Sequence, residues 1–449
     1  MKKSFGVMLA SVLFAASVLA GCGGGNDAEP KQSAPSKEGT ETSTGTEKPA
    51  TNESDTKPVE TVKLVYWTPL SGGDGDYMKA MVDKFNGSQK EVQVEMLNFP
   101  AGEYYTKLRT AIASKQGPDV AIAHTSKLPE LIPANAMESL DDAAAEAGVD
   151  WSTFNPNILN ALVSEGKHMA IPLDTHAQIM FYNKKILRDA GLLDANDKPN
   201  IPPGPDGFLK YLEDIKAKVP ADVMPFATTS GGNQPFWAWW GLYSQMGGQL
   251  IGDDGKAAFN NDKGLQALEL LETMIKKELW PMNIKNGGEI FNSGKAALSF
   301  NGVWYVGVTE KVPDLEFGVM PVPKIYDKPA VWGDSHTLFV PTQAKEDNAK
   351  LVGAVKFANW LADNGSMWAQ AGHVPSKPAA LESAEFKALP YRADYVELAS
   401  YVSYLPNHEK TFAIGEALKA NFTLMTNGQA TAKDVLAQAE KEANDLLAK

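Results

Sequence analysis

Hydrophobic residues between positions 62 and 123 follow two periods in alternation. Residues 62–67, 92–96 and 119–123 run apolar or alternate with a period of two, which predicts three strands. Between them, residues 78–85 and 105–112 place apolar side chains three and four positions apart, which predicts two amphipathic helices. This order of strands and helices predicts an α/β fold with parallel pairing and right-handed crossovers.

The carboxyl ends of the predicted strands indicate where a ligand would bind. In open parallel sheets, ligands lie beyond the carboxyl ends of the strands. The loops at residues 67–73 and 124–127 occupy those positions. Their first candidate ligand-binding residues are Trp67, Ser71 and His124.

The N-terminal segment has the pattern of a bacterial lipoprotein signal. Lys2 and Lys3 precede a mostly apolar run at residues 5–19, shorter than the ~20 residues that a membrane-spanning helix needs. The run ends in Leu-Ala-Gly-Cys, which matches the lipobox, and Cys22 is the only cysteine. We therefore expect removal of residues 1–21 and a lipid anchor on Cys22. The alternative is an ordinary secretory signal with an incidental cysteine.

Residues 22–60 differ in composition from the rest of the chain. They are rich in Ser, Thr, Glu, Lys, Pro and Gly and contain almost no apolar residue. Such a segment buries too little apolar surface to offset its chain entropy. We expect a disordered tether that holds the folded part away from the bilayer.

Length and charge limit the remaining possibilities. A chain of 449 residues is too long for a single ordinary core, so two domains or lobes are expected. The formal net charge of −13 repels phosphate backbones, so nucleic acid is not an expected partner. Near the C-terminus, residues 432–447 carry one apolar helical stripe, which predicts a helix docked on a core.

Motifs of catalysis and metal binding are absent from the sequence. The six histidines are scattered at positions 124, 168, 176, 336, 373 and 408, with no His-Glu-x-x-His, so no metal site is predicted. There is no Gly-x-Ser-x-Gly elbow and no Walker loop. We expect no catalytic residue and no cofactor. A glycoside hydrolase with two carboxylates stays open as an alternative, because the chain contains many acids.

A series of short motifs follows one another in a recognisable order along the chain. They are Tyr-Thr-Lys-Leu at 105–108, Gly-Pro-Asp-Val at 117–120, Ile-Pro at 171–172, Phe-Tyr-Asn-Lys at 181–184, Gly-Lys-Ala-Ala-Leu at 294–298 and Asn-Gly-Val-Trp at 301–304. In order and spacing they resemble the family 1 extracellular solute-binding proteins, the group of the maltose-binding protein. The resemblance covers the chain from about residue 62 to the C-terminus.

The resemblance implies a class II periplasmic-binding-protein-like fold, in which two α/β lobes are hinged around a ligand cleft. The first lobe would comprise 61–172 with 332–377, and the second 173–331 with 378–449. The hinge would lie at the crossings near 173–175 and 331–333. Each crossing contains a carboxylate, and both are candidates: Asp174 as a sugar ligand or hinge hydrogen-bond acceptor, and Asp334 as an acceptor for sugar hydroxyls. His336 is expected to be a structural histidine.

Further candidate site residues come from the same resemblance. Trp304 falls where the family has a tryptophan that stacks on sugar, and Trp332 follows another landmark. Ser126 and Lys127 align with charged sugar-binding positions, but the serine replaces an acid, which argues against an identical ligand. Three tryptophans follow a glycine-rich loop, and Trp237 and Trp240 are taken from them as candidates, with packing in the core as the alternative.

The function implied is capture of a sugar or oligosaccharide outside the cytoplasm and its delivery to an ABC transporter permease. The expected partners are the carbohydrate, the transmembrane permease subunits and, through Cys22, the membrane. The chain itself is expected to be a monomer. Two alternatives stay open: a lipid-anchored carbohydrate-active enzyme, and a scaffold or receptor whose cleft binds no small molecule. Whether the tyrosine-rich segment 391–404 lines the cleft is also left open.

Overall fold

The computed structural model describes residues 60–449. The signal segment, Cys22 and nearly all of the expected tether lie outside the described residues. Among residues 60–449, no helix has both the length and the apolar character that crossing a membrane requires.

Strands and helices alternate through the first part of the described chain, as predicted. The strands are β1 (Val62–Thr68), β2 (Val92–Asn98), β3 (Val120–His124), β4 (Val163–Ser164), β5 (Lys167–His168), β6 (Ile171–Pro172), β7 (Asp174–Asn183), β8 (Met224–Phe226), β9 (Ala296–Gly302), β10 (Phe317–Pro321), β11 (Val331–Asp334), β12 (His336–Phe339), β13 (Val374–Pro375) and β14 (Val402–Ser403). The helices are α1 (Gly72–Ser88), α2 (Ala101–Ala113), α3 (Asp141–Ala147), α4 (Pro156–Asn160), α5 (Lys184–Asp189), α6 (Gly204–Lys218), α7 (Asn233–Gln245), α8 (Asp262–Lys276), α9 (Gly287–Asn292), α10 (Val306–Thr309), α11 (Asn348–Asp363), α12 (Gly365–Trp368), α13 (Ala384–Lys387), α14 (Thr411–Thr426) and α15 (Ala432–Leu447).

The first sheet has the strand order β2-β1-β3-β12-β6. Strand β1 lies parallel to β2 and β3, which confirms the predicted parallel pairing, while β12 runs antiparallel to β3 and β6. Apolar side chains of β1 and β3 pack on one face against α1 and α11, and on the other face against α2. The sheet is therefore covered on both faces, as parallel sheets require.

The second sheet is built around β7. Its strand order is β14-β11-β7-β9-β8, and β10 and β13 pair with other parts of β7. All ten residues of β7 are buried, because neighbouring strands and helices cover its two edges and two faces along its length. A separate, larger core surrounds this sheet. Two sheets with separate cores confirm the two-lobe α/β architecture.

The chain passes between the two sheets at single residues. Leu173 connects β6 of the first sheet to β7 of the second, and Ser335 connects β11 of the second sheet to β12 of the first. The Leu173 N–H donates to the carbonyl of His336 at 2.8 Å, so the two crossings are joined directly. The second crossing lies after the 331–333 segment in which we expected it, because Trp332 belongs to the second core. The chain returns to β7 at β13, after Trp368 of the first core.

The C-terminal helix α15 docks on the second core, as its apolar stripe predicts. The apolar side chains that it buries or partly buries are Ala432, Val435, Leu436, Ala439, Ala443, Leu446 and Leu447. It packs against α14 and α8. The docking also uses a polar contact, in which the Ala257 N–H donates to Asn444 Oδ1 at 3.0 Å.

We predict that Leu436→Ala destabilises the protein by about 2–5 kcal/mol, because Leu436 is fully buried and its removal leaves a cavity. The free energy of unfolding in urea measures this loss. Lys433→Ala on the exposed face of α15 is the matched control and is expected to change stability by less than about 0.5 kcal/mol. Equal effects of the two substitutions would contradict the docking of α15.

Candidate ligand-binding site

A cavity of about 770 Å³ lies between the two sheets. Its size falls within the roughly 300–1,000 Å³ of ordinary small-molecule sites. The first lobe contributes the loops after β1 and β3 and the start of α2, and the second contributes α7, α14, the turn after β9 and the end of β11. The cavity therefore opens beyond the carboxyl ends of β1 and β3, where the sequence places a ligand.

Most of the candidate residues from the first lobe line this cavity. Ser71 lies in the loop after β1, His124 ends β3, and Ser126 and Lys127 follow it. Trp67 does not share that position. It is half-buried in β1 and packs against Phe99, with a ring-centroid distance of 4.5 Å.

Three tryptophans form an aromatic wall on the side of the second lobe. Trp237 stacks on Trp332 with ring centroids 3.9 Å apart and planes inclined by 17°. Trp304 stands edge-on to both rings, at 5.7 Å from Trp237 and 6.5 Å from Trp332. Trp237, Trp304 and Trp332, here called the tryptophan wall, all line the cavity.

The local sequence explains how these indoles come together. A Cβ atom on Gly302 would collide with the Trp304 ring, so the ring lies directly over a residue that has no side chain. A Cβ on Gly241 would lie 3.2 Å from the Trp332 backbone nitrogen, so this glycine allows α7 to approach β11 closely. Both glycines permit close approach, and neither has a positive φ angle.

The other tryptophans of α7 belong to the core. Trp240 is 4% exposed and donates its Nε1–H to the carbonyl of Ser403 at 2.8 Å. Trp239 is fully buried and donates to the carbonyl of Gly264 at 2.9 Å. The expectation that Trp240 lines the cleft is therefore not met, because α7 turns this side of the helix towards the second core.

Asp334 lines the cavity and also fixes the loop after β3. Its carboxylate accepts hydrogen bonds from the Ser126 hydroxyl at 2.6 Å and the Ser126 N–H at 3.1 Å. A third bond comes from the N–H of Ser335 at 2.9 Å. Asp334 lies on β11 of the second sheet and Ser126 follows β3 of the first, so these bonds connect the lobes at the base of the cavity.

Lys127 reaches from the first lobe to the second. Its ammonium lies over the ring of Phe412 on α14 and 5.2 Å from the ring centroid of Tyr105. Burial lowers the pKa of the Lys127 ammonium to about 8, while nearby Glu130 acts in the opposite direction and Lys419 adds to the decrease. The sequence analysis selected Lys127 as a candidate but named no residue of α14.

Asp174 lies beneath the cavity and does not line it. Its fully buried carboxylate accepts bonds from the His336 N–H at 2.9 Å, His336 Nδ1 at 2.7 Å and Trp368 Nε1 at 2.6 Å. Burial raises the pKa of this carboxyl, but His336, His373 and His176 together hold it well below its usual range. Of the two roles considered for Asp174, the structure supports the hinge hydrogen bond.

Three histidines converge around Asp174, although their positions in the sequence give no metal-binding spacing. His176 Nδ1 lies 3.2 Å from Asp174 Oδ1, and His373 Nδ1 lies 3.4 Å from Oδ2. Burial lowers the pKa of His176, whereas in His336 the charge of Asp174 outweighs burial and raises the pKa. His336 has the structural bond expected of it. The sequence analysis selected neither His176 nor His373 as a candidate. The only signal in the sequence was the position of His176 next to the predicted hinge.

The tyrosine-rich segment 391–404 lies mainly behind the cavity. Tyr391 stacks on Phe317 at 4.3 Å between ring centroids, and Tyr404 shares a hydrogen bond of 2.9 Å with Thr175. None of the described residues 391–404 lines the cavity, although the adjoining Leu405 does.

The chain is similar in sequence to several binding proteins. It is 27% identical over 305 residues to the diacetylchitobiose binding protein of Streptomyces coelicolor, covering 64% of this chain and 67% of that one. It is 22% identical over 370 residues to the maltotriose-binding protein of Pyrococcus abyssi, covering 78% and 75%.

Solved structures share the fold. The cyclic alpha-maltosyl-1,6-maltose binding protein from Arthrobacter globiformis superposes with a TM-score of 0.72 at 24% identity, covering 86% of this chain and 99% of that one. The sugar-binding protein MalE from Xanthomonas citri gives a TM-score of 0.75 at 18% identity, covering 86% and 98%.

A family model described as bacterial extracellular solute-binding protein matches residues 70–368. The match spans more than half of the chain, including both crossings between the sheets. The chain therefore belongs to the bacterial extracellular solute-binding proteins.

Proposed function

We propose that this solute-binding protein captures a neutral sugar or oligosaccharide in the cavity and delivers it to the permease of an ABC importer. The observation that carries the proposal is the tryptophan wall, which faces hydroxyl, imidazole and ammonium groups across the cavity. Sugars have apolar C–H faces and hydroxyl edges, and this arrangement offers a partner to each.

The tryptophan wall supplies the apolar half of this recognition. Each aromatic contact contributes about 0.5–1.5 kcal/mol beyond the burial of apolar area. Hydrogen bonds, each worth about 1 kcal/mol net, would come from the opposite side. The side chains that we propose for this role are Ser71, His124, Ser126, Lys127 and Asp334.

The charges of the cavity favour a neutral solute. Lys127 and Lys419 supply positive charge, but Asp74, Asp334 and Glu416 line the same cavity. An anionic solute would meet at least as many carboxylates as ammonium groups. The names of two relatives agree with a neutral solute, because they specify diacetylchitobiose and maltotriose, whereas a relative at 23% identity is named for sn-glycerol-3-phosphate.

Binding is proposed to close the two lobes around the solute. A ligand favours closure only if it makes better contacts in the closed state than in the open one. The tryptophan wall belongs to the second lobe and Ser71 to the first. A solute that contacts both therefore stabilises the closed form. The permease would then recognise the closed form, while a lipid on Cys22 would keep the protein at the membrane.

The arrangement of acids favours binding over hydrolysis. A glycosidase needs one carboxyl group free to donate a proton and a second to act as a nucleophile or base. In this cavity, Asp334 already accepts three hydrogen bonds, Asp74 faces His373 at 3.3 Å, and Glu416 pairs with Lys419 at 2.7 Å. We therefore propose that the protein is not an enzyme and releases its sugar unchanged.

We predict that a subset of mono- and oligosaccharides raises the melting temperature of the purified full-length protein. A ligand that binds only the folded state stabilises it by about 2.7 kcal/mol at a hundredfold excess over Kd. Differential scanning fluorimetry against a sugar panel measures the shift, and chromatography tests whether the sugar is recovered unchanged. A panel without any shift would refute the sugar assignment, and consumption of the sugar would favour the enzyme.

We predict that Trp304→Ala weakens binding of the sugar found in this way by about 2- to 12-fold or more. This range corresponds to the loss of one aromatic contact of about 0.5–1.5 kcal/mol. Isothermal titration calorimetry measures the affinity. Trp151→Ala is the matched control, since Trp151 stacks on His168 away from the cavity. An unchanged affinity in Trp304→Ala would remove Trp304 from the site.

Gly302→Ala tests the same wall without removing an aromatic ring. The added Cβ occupies the space of the Trp304 indole, so we predict that the ring moves and that sugar affinity decreases. Overpacking of this kind costs about 1–3 kcal/mol of stability. Gly87→Ala is the control, because its Cβ would meet no atom within 4 Å. The proposed support of Trp304 is wrong if both variants bind sugar as the unmodified protein does.

A further inference from the structure

We propose that Asp174, His176, His336 and His373 form a site for one divalent transition-metal ion of the zinc class. This site lies at the junction of the two lobes, at the base of the cavity. His176, His336 and His373 line the cavity, whereas the carboxylate of Asp174 lies beneath it. The site therefore adjoins the proposed sugar site.

The four side chains already approach the geometry of a single coordination sphere. One ligand atom from each lies within 4.8 Å of the ligand atoms of all the others, and all four residues are buried. The Nδ1 atoms of His176, His336 and His373 lie 3.2, 2.7 and 3.4 Å from Asp174 carboxylate oxygens. Around a tetrahedral zinc ion with bonds of about 2.0–2.1 Å, neighbouring ligand atoms lie roughly 3.3 Å apart. Small movements therefore suffice to bind the ion.

His373 provides a second, independent indication of a cation. The side chain is 1% exposed, and its Nδ1 has no hydrogen-bond partner among the described residues. Its other nitrogen, Nε2, lies 3.3 Å from Asp74 Oδ1 and is placed to donate there. A neutral imidazole that donates from Nε2 presents the Nδ1 lone pair to Asp174 Oδ2 at 3.4 Å. Two buried acceptors that face each other are unfavourable unless a proton or a metal ion lies between them, so these two atoms offer a position that either can occupy.

Neighbouring side chains form hydrogen bonds that would orient the ligands of a metal ion in this cluster. Metal-binding histidines commonly donate their other ring nitrogen to a carboxylate, as His373 is placed to do with Asp74. The carboxylate of Asp174 is itself held by Trp368 Nε1 at 2.6 Å. Three imidazoles and one carboxylate suit zinc and related transition metals, whereas calcium and magnesium prefer oxygen ligands.

The ligands come from both sheets, which indicates what the ion would do. Asp174 and His176 lie on β7 of the second sheet, His336 begins β12 of the first, and His373 precedes β13. An ion with four protein ligands resembles a closed structural site. It would join the crossings between the lobes and fix the axis about which they close.

Metal titration of the full-length protein tests this proposal. The protein is purified without a histidine tag, stripped with a chelator and titrated with Zn²⁺ by calorimetry, and with Co²⁺ by absorbance in the visible range. We expect one ion per chain, a Co²⁺ spectrum of tetrahedral type and a melting temperature that rises when metal is restored. Absence of stoichiometric binding to the unmodified protein would overturn the proposal.

Two variants locate the ion. Asp174→Asn and His373→Gln are each expected to weaken Zn²⁺ binding by at least about 10- to 100-fold, because loss of a ligand costs no less than loss of a group that supports one. His408→Gln, outside the cluster, is the matched control and should bind as the unmodified protein does. If Asp174→Asn fails to fold, His373→Gln alone still tests the site. A Zn²⁺ affinity of His373→Gln equal to that of His408→Gln would refute the site. Sugar-induced melting shifts, measured with and without metal, test the proposed function separately.

Discussion

The buried carboxylate of Asp174 is the constraint on which the arrangement of the two lobes depends. A carboxylate without access to water is very costly unless donors or cations compensate it. Here the donors come from His336 in the first sheet, from Trp368 in the first core and from His176 beside Asp174 in the second sheet. Separating the crossings would leave this charge unpaired, so the junction of the lobes is held in one geometry.

The same junction forms the base of the ligand site. Asp334 lies just before the crossing at Ser335, and its carboxylate holds Ser126 in the loop that also carries Lys127. In the proposed closure, the walls of the cavity would move around a base whose hydrogen bonds are already formed. A solute that contacts both the walls and the base would then favour the closed form through its binding energy.

Helix α7 shows how one sequence pattern serves two purposes. Three tryptophans lie within four positions, yet only Trp237 lines the cavity, while Trp239 and Trp240 fill the second core and satisfy their N–H groups on backbone carbonyls. With 3.6 residues per turn, neighbouring positions point in different directions. Composition alone could indicate that an aromatic site was near, but not which of these rings belonged to it.

The sequence by itself determined the alternation of strands and helices, the docked C-terminal helix and the family, because these depend on patterns among residues close in the chain. It also indicated the loops at the cavity and the residues Trp304 and Asp334. Only the tertiary structure placed Trp67 and Trp240 outside the cavity and brought α14 to its edge. It alone gathered three histidines around Asp174, since residues 174, 336 and 373 meet only through strand pairing and the crossings between the sheets.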